Sequence, residues 1–173
     1  MIKDKEIKNI MDNYFYVVID TREKRNEHIV NAFDKYNIKY INKALSYGDY
    51  GVLIKANDYV SNDIILPISI ERKGNLTEII SNMTTNKMRF ENEMTRKCKD
   101  NGTMYIVIEN ATYEDIANQN YKNDIQPKQV YALLHTFNER YNVPVIFINK
   151  EYSPLCIYNY LKYYTREYLK NNI

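Results

Sequence analysis

An α/β fold, with a mixed β-sheet covered by helices on both faces, is what this 173-residue sequence predicts, and three observations lead there. Residues 14–20, 64–70 and 104–109 are continuous apolar runs of strand length, the pattern of buried rather than half-exposed strands. Other stretches repeat their apolar residues at helical spacing. Strands and helices interleave along the chain, and a sheet sandwiched by helices is the packing that buries the apolar side of both.

The elements follow in order. Ile7, Ile10 and Met11 predict a short amphipathic helix, and residues 14–20 a buried strand that ends in an acid. Ile29, Ala32, Phe33 and Tyr36 recur at i, i+3, i+4 and i+7, the face of a helix. Residues 38–45, 50–55 and 64–72 predict strands, separated by Ser46, Tyr47, Gly48 and Asp49 and by the polar stretch 56–63. Residues 75–83 and 87–99 predict helices, and 104–109 another buried strand. Pro127 opens a helix with the stripe Val130, Leu133, Leu134, Phe137 and Tyr141, followed by a strand at 143–148. A last helix from Ser153 carries Ile157, Tyr160, Leu161, Tyr164 and Tyr168 on one face. The order is α-β-α-β-β-β-α-α-β-α-α-β-α, without linker or repeat, so residues 1–173 are expected to form a single domain.

Composition narrows the function. With 24 Lys and Arg against 22 Asp and Glu, the net charge of +2 excludes a polybasic arm that binds by charge alone, so any nucleic-acid role must be local. A chain of this length buries roughly 70% of its unfolded surface and needs neither disulfide nor metal to fold. Cys98 and Cys156 lack CxxC spacing, and His28 and His135 have no ligand-like neighbours, which argues against zinc and for reduced thiols. No signal-peptide core stands at the N-terminus, and no apolar run reaches membrane-spanning length. A cytoplasmic protein is expected, and the abundance of Asn, Lys, Ile and Tyr points to the AT-rich coding of a low-GC bacterium or its phage.

Three segments carry candidate chemistry, each beside a structural alternative. Asp20, Thr21, Arg22 and Glu23 end the first strand, where Asp20 and Glu23 have the spacing of a helix capping box. Gly48, Asp49, Tyr50 and Gly51 have the composition of a hairpin turn. Glu71, Arg72, Lys73 and Gly74 close an apolar run and read equally as a solvated strand terminus. Jointly they suggest more. Asp49 and Glu71 fall at the ends of neighbouring strands, and Glu71 and Lys73 share a face by the period of two. Three carboxylates and an ammonium are then expected to converge, an all-oxygen donor set suited to Mg²⁺ with substrate phosphate and water. A lysine beside such water can orient it or accept its proton.

Asp-Thr-Arg-Glu after a strand, then Gly-Asp-Tyr, then Glu-Arg-Lys, resembles the nuclease domain of the XPF family of structure-specific endonucleases, within the PD-(D/E)xK superfamily. The resemblance runs over residues 17–109 and takes in Arg89 and the strand ending at Glu109, with a spacing of 71 − 49 = 22 residues that places extra length in the loop 56–63. It implies a restriction-endonuclease-like fold and dependence on Mg²⁺, with Mn²⁺ able to substitute. It also implies cleavage of branched, flap or junction DNA in repair or recombination. Residue by residue, it implies Asp49 and Glu71 as principal metal ligands, a further oxygen from the Arg72 carbonyl, and Asp20 as another acid at the metal. Lys73 is the implied catalytic lysine, and Arg22 and Glu23 would line the site, Arg22 towards a phosphate. Members that cut branched DNA in archaea and eukaryotes usually add a tandem helix-hairpin-helix module, and these 173 residues contain no Gly-rich hairpins of that kind.

DNA is expected along residues 84–99, where Lys87, Arg89, Arg96, Lys97 and Lys99 face only Glu91 and Glu93. Together with Arg22 and Arg72, three of these, Lys87, Arg89 and Arg96, are the expected DNA contacts. An ordinary solvated helix is the alternative. Thr84, Thr85 and Asn86 stand where a helix N-terminus would meet phosphate. In the C-terminal segment, Tyr160, Tyr164 and Tyr168 are expected in the core. Tyr158 and Tyr163 lie off that stripe, as surface tyrosines, base-stacking groups or a homodimer or heterodimer contact through the C-terminal helices. The rival functions are a catalytically silent DNA-binding or partner-binding module on the same fold, and an exonuclease or restriction-type enzyme.

Overall fold

The computed structural model describes residues 2–173. Its elements are α1 (Asp4–Asn13), β1 (Phe15–Ile19), α2 (Glu27–Lys35), β2 (Tyr40–Asn42), β3 (Tyr50–Ile54), β4 (Ile64–Lys73), α3 (Leu76–Met83), α4 (Lys87–Lys99), β5 (Thr103–Glu109), α5 (Tyr113–Ala117), α6 (Pro127–Tyr141), β6 (Val145–Ile148) and α7 (Ser153–Asn172). That is the order expected from the sequence, although no apolar pattern there marks α5. The six strands form one sheet, ordered β2-β1-β3-β4-β5-β6. It is mixed: β1 runs parallel to β2 and antiparallel to β3, and β5 runs parallel to β6.

The chain divides into two compact units. The first takes in residues through Leu45, Asp49–Ser69 and Pro154–Ile173, and so contains β1, β2, β3, the first part of β4, α1, α2 and nearly all of α7. The five residues of β3 are buried, and β1 pairs with it from Phe15 opposite Ile54 to Ile19 opposite Tyr50. The capping alternative for Asp20 does not hold, since α2 begins only at Glu27, and Tyr36, expected on that helix's face, is its half-exposed C-cap. The strand expected over 38–45 shrinks to Tyr40–Asn42 because its partner β1 stops at Ile19; beyond it the Leu45 N–H turns to the Asp20 carboxylate. In α7 the buried row is Ile157, Leu161, Thr165 and Leu169. Tyr164 and Tyr168 stack beside that row, and Tyr160 is exposed, so the expected tyrosine core face is displaced by one residue. Thr165 is tolerated there because its hydroxyl donates to the Leu161 carbonyl at 2.7 Å.

The second unit comprises Ser46–Gly48 and Ile70–Ser153, and so holds the end of β4, α3 to α6, β5 and β6. Its core gathers Leu76, Ile79, Ile80, Phe90, Met94, Ile106, Ile108, Val130, Leu134 and Phe137. Asn75 caps α3 by accepting from the Glu78 N–H at 2.9 Å. Pro127 opens α6, and Asn142 ends it in the left-handed region at φ 49°. Strand β6 starts two residues later than expected, because Pro144 has no N–H; its carbonyl nevertheless accepts from Ile106 at 2.9 Å.

Candidate active site

In the first unit, the acid closing β1 is the organising group. Asp20 is buried at 2% exposure, and its Oδ1 accepts from the Arg22 backbone N–H at 2.8 Å and from Arg22 Nε at 2.7 Å. Its Oδ2 accepts from the Leu45 N–H at 2.6 Å and from Arg22 Nη2 at 3.0 Å. Burial pushes the Asp20 carboxyl up, but the bonds from the Arg22 side chain, the Leu45 amide and the Arg22 amide outweigh it and hold the carboxyl below its ordinary value. The Arg22 side chain remains 59% exposed, so a well-held guanidinium faces solvent. The Asp20 N–H donates to the Asp49 carbonyl at 2.8 Å, which ties the motif after β1 to the half-buried residue before β3. Glu23 is half-buried and accepts from the Arg25 N–H at 3.1 Å.

In the second unit, β4 ends as Glu71, Arg72 and Lys73, all buried. Lys73 Nζ donates to Glu71 Oε1 at 2.5 Å, so the two side chains predicted to share a face are joined. Lys73 Nζ also lies 3.9 Å from Glu78 Oε1 and 5.7 Å from the centre of the Phe90 ring. Glu78 folds back on the strand end, where its Oε2 accepts from the Gly74 N–H at 2.9 Å. Arg72 alternates to the other side. Its Nη1 donates to Glu109 Oε2 at 2.9 Å, and Glu109 Oε1 accepts from Ser153 Oγ at 2.5 Å.

The residues preceding Asp49 are held by α4. Gly48, at φ 73°, donates its N–H to Glu93 Oε1 at 2.7 Å, and Arg96 Nε donates to the Ser46 carbonyl at 2.7 Å. The helix expected to carry DNA-binding cations thus employs some of its charges internally. Lys97 is buried and donates to the Tyr141 and Asn142 carbonyls at the end of α6. Lys87 is exposed and 3.9 Å from Glu91, and residues 84–89, Arg89 included, are exposed throughout.

One expectation needs correction against this geometry. The Arg72 side chain, expected among the DNA contacts, is buried in an ion pair. Among the described residues no three His, Cys, Asp or Glu side chains are grouped closely enough to hold a metal ion, and the Asp20 carboxylate accepts from Arg22 and Leu45. The donors available to a metal at the motif residues are carboxylate and carbonyl oxygens. Cys98 is exposed, Cys156 is half-buried, and His135 is bonded to the Tyr113 hydroxyl at 3.0 Å. That chemistry fits a hard divalent cation and not a thiophilic one. Sequence reasoning passed over Glu109, Ser153 and Glu78, although Glu109 carried the same signal as Asp20, an acid closing an apolar strand. Among the described residues no helix is long and apolar enough to cross a membrane.

A mixed six-stranded sheet with interleaved helices and a buried carboxylate–lysine pair at the end of β4 defines an α/β domain. The ERCC4 domain model matches residues 19–154, and the chain belongs to that family. Among solved structures the chain is similar to XPF from Aeropyrum pernix, at 18% identity and TM-score 0.62 over 87% of this chain and 61% of that one. It is likewise similar to XPF from Aeropyrum pernix in complex with DNA, at 16% identity and TM-score 0.61, covering 88% and 66%. This chain therefore spans somewhat under two thirds of those proteins. No curated protein matches the sequence.

Proposed function

We propose that residues 1–173 form a nuclease domain, a metal-dependent DNA endonuclease that hydrolyses phosphodiester bonds in branched, flap or junction DNA. The observation that supports this most is the buried Glu71–Lys73 pair at the end of β4, inside the segment that matches the family. Burying two charges costs more than an apolar pair of the same size would, so stability alone is a poor reason for its presence. The similar solved protein that contains DNA supports DNA as the substrate.

Asp49 and Glu71 are the residues to hold Mg²⁺ or Mn²⁺, with the Arg72 carbonyl as a further oxygen. The bound cation would supply charge to the phosphoryl oxygen and acidity to a water. Lys73, held by Glu71, orients the attacking water and takes part in moving its proton. Arg22, held by Asp20 with its guanidinium towards solvent, binds a phosphate oxygen, and Glu23 lines the same loop. Lys87 and Arg89, on the exposed start of α4, add phosphate contacts that position the duplex without reading sequence.

The test is a panel of labelled linear, forked and flapped DNA together with supercoiled plasmid, each with Mg²⁺, Mn²⁺, Ca²⁺ or chelator. Cleavage of forks or flaps in Mg²⁺ and Mn²⁺, and its loss in Asp49→Asn with DNA affinity retained, is the expected result. No nicking of any substrate, with no saturable heat on titrating Mn²⁺, would establish a silent binding module. Cleavage from linear ends alone would establish an exonuclease.

A further inference from the structure

Within that reading, we propose that Glu109, together with Ser153, is a positioning residue: it grips Arg72 from behind and thereby sets the strand end from which Glu71 and Lys73 project. Side chains alternate along a strand, so Glu71 and Lys73 point one way and Arg72 the other. Whatever fixes the Arg72 side chain fixes the backbone, and the carbonyl, between the two functional residues. Arg72 Nη1 lies 2.9 Å from Glu109 Oε2. Glu109 is the last residue of β5, at 1% exposure, and its other oxygen accepts from Ser153 Oγ at 2.5 Å. Ser153 is fully buried at the start of α7, with its Oγ also 3.0 Å from the Lys150 carbonyl. A hydroxyl has one proton, and the charged acceptor at the shorter distance takes it.

The linked groups are thus strand end, guanidinium, carboxylate, hydroxyl and helix start, with the three side chains no more than 8% exposed. A buried ion pair is weak support for stability, because apolar side chains of similar volume often serve as well. What it provides is direction. An N–H donor and an O–H donor meet the two oxygens of one carboxylate, which fixes the plane of the carboxylate and with it the reach of Arg72. Arg72 cannot serve as a surface cation in this arrangement, so its charge acts on geometry and not on phosphate.

The experiment compares the wild-type chain with Ser153→Ala, Ser153→Thr and Glu109→Gln. Ser153→Ala leaves the ion pair whole and removes one hydrogen bond, so it tests the idea even where Glu109→Gln does not fold. Hydrogen exchange of the backbone over residues 71–74 is expected to quicken about fivefold in Ser153→Ala, the size of one net hydrogen bond, with β1 unchanged. Cleavage of the preferred labelled DNA is expected to lose kcat about tenfold with KM for DNA unchanged, and Glu109→Gln to lose about a hundredfold, the scale of small misplacements in an active site. Ser153→Thr, which keeps the hydroxyl, should restore both readouts. Unaltered exchange at 71–74 in folded Ser153→Ala, or quickening spread evenly over all strands with kcat unchanged, overturns the proposal. So does a loss confined to KM. Should the wild type cut no DNA, the nuclease reading fails by itself, and the exchange measurement still decides the positioning role.

Discussion

Arg22 holds the Asp20 carboxylate through Nε at 2.7 Å and Nη2 at 3.0 Å, and Nη2 also donates to the Leu45 carbonyl at 2.9 Å. One short stretch after β1 is thereby tied to a residue 25 positions beyond Asp20, which also donates its own N–H to that acid. The acid is a clamp for the arginine as much as a charge in its own right.

This clamp predicts an acid-sensitive stability. The Asp20 carboxyl titrates lower in the folded chain than its ordinary value of 3.8, so its contribution is complete above that value and is lost as pH falls through the folded one. Asp20→Asn should lower stability near neutral pH by about 1–2 kcal/mol, allowing for solvent around Arg22, and flatten the acid limb. Urea unfolding of both proteins from about pH 6 to pH 2 measures this. Parallel limbs would exclude Asp20 as the source.

Lys73→Ala should cost more than its side-chain volume suggests, about 3–5 kcal/mol, because it leaves the buried Glu71 carboxylate without its ammonium. The double variant Glu71→Gln with Lys73→Met should recover most of that stability while remaining inactive on DNA. Thermal melts of the single and double variants give the coupling directly. Additive losses would mean that the pair is not an energetic unit.

Gly102 admits no side chain. A Cβ built there would sit 2.1 Å from the Tyr47 hydroxyl oxygen and 2.8 Å from the ring carbon bearing it, and Tyr47 is buried in the second unit's core. Gly102→Ala is expected to destabilise by about 1–3 kcal/mol as the ring is displaced. Tyr47→Phe in the same background removes the nearest atom and should return part of the loss. Unfolding midpoints settle both values.

Charge removal on α4 should have two distinct outcomes. Lys87→Ala or Arg89→Ala, at exposed positions, should weaken DNA binding evenly across sequences and lower the slope of log K against log salt by about one for each phosphate no longer neutralised. Lys97→Ala should leave the slope unchanged and lower stability instead, since its ammonium serves the end of α6. Fluorescence anisotropy over a salt series, beside melts, separates the two.

What could be read directly from the chain is what depends on neighbours in sequence. The order of the elements, the limits of α4 at Lys87 and Lys99, the opening of α6 at Pro127, and the shared face of Glu71 and Lys73 all follow from periodicity and caps. These patterns express which side of a helix or strand is apolar, and a charge does not change them. The family resemblance rests on the same local spacing.

The employment of each charge was decided by tertiary structure alone. Arg72 and Lys97 read as cations for DNA, yet the first meets Glu109 across 37 positions and the second the end of α6 across 44. Arg96 reaches the Ser46 carbonyl 50 positions away, and Asp20 is filled by Leu45 as well as by its near neighbour Arg22. A charged side chain enters the interior only where distant partners satisfy its donors or acceptors, and no local pattern records whether those partners will arrive. Sequence by itself therefore determined the strands, the helices and the motif residues at their ends. The fold determined which of those residues pair as candidates for chemistry, as the buried Glu71 and Lys73 do, and which are spent on holding the others still.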